Sequence, residues 1–259
     1  MGHIRLGRLP RTRRWRDVID RLASPAHQTQ FVAEATLSAA SSYLRGASRE
    51  PGCYLPLLVL SQLVVAARSE GAFNAYLREQ DVSEGASGDG VRLLAALSLL
   101  PGQSEPDNAA RTVLSEIALR AYNEVLFSRV RDAANTLWGI DTPSVQVALK
   151  QHSTDRGYSE LVRDWFARFL GRTLQYFIDR ELPNHVGEGA VSTSGEAVTF
   201  ERDVLAYATE RVRILRDYAP GWLDKTLWQQ KQLTDDTAKR FFAYCITKIL
   251  QELGQEKMQ

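Results

Sequence analysis

LVRDWFARFLGRTLQYFI, residues Leu161 to Ile178, decides the fold class. Leu161, Val162, Trp165, Phe166, Phe169, Leu170, Leu174, Phe177 and Ile178 recur at three- and four-residue steps, the spacing that lines up side chains along one side of an α-helix. The apolar arc is wide, which predicts a helix at the centre of a core. Burying each of its large apolar side chains contributes about 1.5–3 kcal/mol, before the entropy of ordering it is subtracted.

Both ends of this helix carry signals. Thr154 and Asp155 are suited to capping its start. At the other end Pro183 disfavours helical geometry at Leu182 and has no N–H to donate, so the helix should stop near Glu181. Asn184 and Gly187 then fit the following turn. Glu181 and His185 lie four apart, but Pro183 between them keeps them off a shared helical face. A zinc-protease helix needs two histidines and a glutamate on unbroken helix, and this stretch has one histidine.

Working outward, the same periodicity dominates and no convincing run of alternating strand residues occurs. Trp15, Val18, Ile19 and Leu22 define a helix over 13–23, and Phe31, Val32, Ala35, Leu37 and Tyr43 another over 29–45, with Gly46 at its end. The segment 54–67 is apolar nearly all round, as in a helix buried against several neighbours. Gly- and Ser-rich 81–90 reads as a loop, and a short helix is expected to end at LLPGQSEPDN, 99–108. A long helical pattern runs through 108–138, and Thr142–Pro143 starts another helix. Val204, Leu205, Ala208, Val212 and Leu215 form the buried side of a helix over 200–218. The last helix opens at Thr234–Asp235 and is expected to stop at Gly254. The expected fold is all-α: an irregular bundle of about eight to ten helices with no repeat solenoid. It divides into a basic arm, 1–16, and one helical domain, 17–259, with a sub-boundary near 101–108.

The totals are those of an ordinary globular chain: 259 residues, 44% hydrophobic and 24% charged. A net charge of +1 supplies no global field toward nucleic acid or membrane. Cys53 and Cys245 stand far apart with no paired histidines nearby, so neither a disulfide framework nor a zinc site is expected. Segment 54–67 is too short to span a bilayer, and the N-terminal residues lack a secretory apolar run. A cytoplasmic protein without cofactor or metal is the expectation.

Three groups of side chains suit chemistry or binding. The arm carries Arg5, Arg8, Arg11, Arg13, Arg14 and Arg16 around Trp15, with no acid. Arginines clamp phosphates and an indole stacks on a base, so the arm suits nucleic acid or an acidic protein surface. Arg202, Arg213 and Arg216 form a weaker stripe, diluted by Glu210 and Asp217. His185 with Glu181 or Asp179 is the acid–base alternative. His152, Ser153 and Asp155 are neighbours in sequence, but triads are assembled in space and capping explains this stretch better. The favoured function is a helical interaction subunit that binds another protein. A nucleic-acid-binding module using the arm, and an enzyme using His185, are the alternatives.

Overall fold

The computed structural model describes residues 12–24, 28–82, 88–103, 111–133, 139–181, 194–219 and 221–256. Among them every regular element is helical and no strand occurs. In chain order these are α1 (Arg13–Ala23), α2 (Thr29–Ala47), α3 (Pro51–Ala66), α4 (Glu70–Glu79), α5 (Gly90–Gln103) and α6 (Val113–Ala133). Then come α7 (Thr142–Lys150), α8 (Asp155–Ile178), α9 (Ser194–Arg211), α10 (Leu215–Tyr218), α11 (Trp222–Gln230) and α12 (Asp235–Glu256). A 3₁₀ turn, Val212–Ile214, joins α9 to α10. Taking 194–218 as one rod, the described residues hold eleven helices, slightly above the expected range. The unanticipated ones are α4 and α11. Each buries only two side chains, Phe73 and Leu77 in one and Leu223 and Thr226 in the other, too few to mark a periodic face.

Two helices share the centre. From Gly52 to Ala66, every residue of α3 except Gln62 and Val65 is buried, as its all-round apolarity predicts. It packs on α6 and α12, while α8 packs on α6 and α9, so α6 lies against both. In α8, Trp165 stacks on Phe169 with centroids 5.2 Å apart and meets Phe166 edge-on at 4.9 Å. Phe242 of α12 closes this aromatic group, 5.6 Å from Phe166 and 5.7 Å from Phe169. The buried apolar residues of all these helices form one contiguous core.

The helix starts follow their signals. Thr154 accepts from Gly157 N, Asp141 from Ser144 N, and Thr234 from Thr237 N. Helix α8 ends at Ile178, and Glu181 N donates to Ile178 O in the turn beyond it. Helix α5 runs through Pro101 and ends at Gln103, within the stretch 99–108 expected to end it. The N–H that Pro101 lacks would have bonded the carbonyl of Leu97; the buried hydroxyl of Tyr122 in α6 donates to that oxygen instead, at 2.8 Å. Helix α12 continues past Gly254 to Glu256.

Leu205 is 40% exposed, not wholly buried. A Cβ on Gly171 would stand 2.5 Å from Leu205 Cδ2, so that side chain rests on α8 where a glycine lets α9 come close. Phe31 and Tyr43 also sit at the rim, the first beneath Arg21 and the second against Phe177. None of the described helices is long and apolar enough to cross a membrane.

Candidate functional site: the arginine seam of α6 and α8

The start of α8 positions one wall of the site. Before it the chain makes a turn that only glycine permits at 157: a Cβ there would lie 2.5 Å from Gln151 O and 2.9 Å from His152 Cα. This turn folds the His152 ring inward to 8% exposure, with Nδ1 3.2 Å from Gly157 O. A carbonyl can only accept, so Nδ1 carries the proton. Burial first, and then the charge of Arg129, hold the imidazole below its usual pKa.

Along α8, Arg156, Glu160, Asp164, Arg168 and Arg172 succeed one another at four-residue steps, so each stands one turn beyond the last. At 1.5 Å per residue the row covers about 24 Å. Helix α6 adds Arg120, Glu124 and Arg129 opposite it. The pairings cross the seam. Asp164 Oδ2 receives Arg129 Nη2 and its Oδ1 receives Arg168 Nε, each at 3.1 Å. Glu124 receives Arg168 Nη1 at 3.4 Å and also Arg172. Glu160 is held by Arg156 at 3.1 Å. Burial and then the neighbouring Arg120 hold the Arg172 guanidinium below its usual pKa.

At the end of the seam near His152, α8 parts from the α9 segment. A cleft of about 380 Å³ opens there, lined by Arg129, Glu160, Arg163, Asp164, Ala167, Thr209 and Val212. The Thr209 hydroxyl is engaged with Leu205 O at 2.9 Å. Arg163, half-buried, makes no hydrogen bond or ion pair with a described residue.

A second concavity lies between the start of α2 and α9. It measures about 580 Å³ and is lined by Gln28, Thr29, Gln30, Asp203, Tyr207, Glu210 and Arg211, among others. Arg211 is 8% exposed, with its guanidinium 4.8 Å over the Tyr207 ring. The groove continues past Arg213, Arg216, Asp217 and Glu252. Its charges largely cancel: Arg213 chelates Glu210 at 2.8 and 3.0 Å, and Arg202 stands 3.6 Å from Asp203. The stripe of Arg202, Arg213 and Arg216 is therefore largely paired within its own helix, with Arg216 exposed on the groove wall.

The remaining expected site residues are dispersed or outside the described residues. Arg5, Arg8, Arg11 and His185 lie outside them. Helix α1 already begins at Arg13, capped by Thr12, so the last residues assigned to the arm belong to the packed body. Trp15 is corrected from a stacking residue to a core residue: it is 4% exposed and its ring lies 6.0 Å from Phe177. Arg14 reaches Ser41 Oγ at 3.2 Å, while Arg13 and Arg16 are exposed. Asp179 is exposed just beyond α8, its pKa raised by partial burial and then by Glu201. Ser153 and Asp155 form no triad with His152, because the ring bonds through Nδ1 to Gly157 O and the Asp155 carboxylate accepts from Gly221 N. Cys245 is a buried thiol whose pKa burial raises. Among the described residues no group of three or more His, Cys, Asp or Glu is placed to hold a metal.

Sequence reasoning missed both the seam and Arg211, although each leaves a trace. The four-residue row on α8 is visible in the chain, and Arg211 interrupts the apolar face between Ala208 and Leu215. Comparison with protein-family models, with curated proteins and with solved structures found no match.

Proposed function

We propose that the protein is a helical interaction subunit whose α6–α8 seam docks on an acidic surface of another protein. The observation that carries this reading is the charge surplus of the seam. Among the residues named along the seam, the cations Arg120, Arg129, Arg156, Arg163, Arg168 and Arg172 outnumber the acids Glu124, Glu160 and Asp164, on a chain whose net charge is +1. Arginine is enriched at protein interfaces, and a one-sign patch steers a complementary partner into register. Arg120 and Arg163 have no ion-pair partner among the described residues, so an incoming carboxylate at either one breaks no existing pair.

The test is a pull-down from the native host that scores co-purified proteins and nucleic acid together, comparing wild type with Arg120→Glu/Arg163→Glu. An acidic protein captured by wild type and lost by the double variant, with its helical circular dichroism unchanged, is the expected result. Equal capture by both would overturn the reading. A nucleic-acid-binding function is the second reading, supported by the same seam and by exposed Arg13 and Arg16. It requires affinity that falls steeply with salt as condensed counterions are released.

A further inference from the structure

The cleft at the Arg129–Arg163 end of the seam has a chemistry distinct from a flat docking face. Its acids are already engaged: Asp164 by Arg129 and Arg168, Glu160 by Arg156. Arg163 on its wall has no counter-ion among the described residues. Arg129 brings a second guanidinium from α6, bonded through Nη2 to one oxygen of Asp164. The cleft, about 380 Å³, holds about a dozen waters at about 30 Å³ each, ample for a hydrated anion.

We infer that this cleft binds a phosphate-type oxyanion between Arg163 and Arg129. Two planar forks carried by different helices offer donors from two directions. That arrangement suits a tetrahedral group bearing several oxygens and up to two charges better than a flat monoanionic carboxylate.

Isothermal titration of the full-length protein with inorganic phosphate, at constant ionic strength made up with chloride, tests this. Saturable one-site binding is expected, weakened at least about tenfold in Arg163→Gln, the loss of roughly one charge-assisted contact. Arg163→Gln should melt like wild type without phosphate, because no described residue loses a partner. Arg120→Glu, in the same seam but outside the cleft, should bind phosphate within about twofold of wild type, a difference under about 0.5 kcal/mol. Absence of saturable binding, equal binding by Arg163→Gln, or an equal loss in Arg120→Glu would overturn the assignment, and so would succinate binding as tightly as phosphate. The site stands apart from the docking proposal: phosphate binding that depends on Arg163 would hold even if no protein partner were captured.

Discussion

His152 is a base set where a further positive charge is poorly accommodated. Arg129 approaches from α6, while Glu160, Asp164 and the Gly157 carbonyl on α8 only partly offset burial and that charge. Its folded pKa therefore lies below the ordinary value of about 6.5. When pH drops below about 6.5 the unfolded chain binds a proton that the folded chain resists, so stability falls with falling pH. Urea titrations between pH 7 and pH 5 should show this decline, and it should be shallower in His152→Gln. An unchanged slope would mean that other groups dominate the acid limb. The sequence brings His152 to notice only as a neighbour of Ser153 and Asp155. Its burial depends on the tight turn at Gly157 and on the approach of α6, which no local pattern announces.

At the scale of elements, local signals were legible wherever the chain satisfies its own backbone. Thr154 and Thr234 cap the helices they were expected to start, because a side-chain oxygen three residues before an N–H is a local matter. Pro101 is tolerated inside α5 for a reason that lies outside its own helix. The bond it forgoes is replaced by Tyr122, 25 residues away in sequence, a substitution that only packing can supply. Tyr122→Phe keeps the ring in its buried place but leaves the Leu97 carbonyl without its donor. It should cost about 1–3 kcal/mol in denaturant titrations, and a variant as stable as wild type would show that the carbonyl finds another partner. The seam escaped notice in a similar way. Its α8 row is periodic, but a charged row reads as an ordinary solvated face until α6 aligns Arg120 and Arg129 beside it.

For the whole molecule, the all-helical class and the burial of 54–67 and 161–178 were readable from periodicity, since one dominant pattern runs through most of the chain. The distribution of charge was not. A net charge of +1 averages a basic seam against acids elsewhere, and the average says nothing about patches. The boundary of the arm also moves. Thr12 caps α1 and Trp15 enters the core, so the packed body takes in residues 12–16, which had been assigned to the arm. Deleting residues 1–11 leaves α1, its cap and Trp15 in place and sets the reference midpoint for thermal unfolding. Deleting residues 1–15 should lower the midpoint strongly, as the cap and a core indole are lost. Similar midpoints for the two truncations would place α1 outside the cooperative unit.

The phenol that completes α5 also couples two events. A helix that closes its own hydrogen bonds can form and dissolve locally in under about a microsecond, without waiting for the rest of the chain. The last turn of α5 is weaker on its own, because the Leu97 carbonyl has only water to serve it until Tyr122 arrives with α6. Completing that turn and docking α6 therefore favour each other.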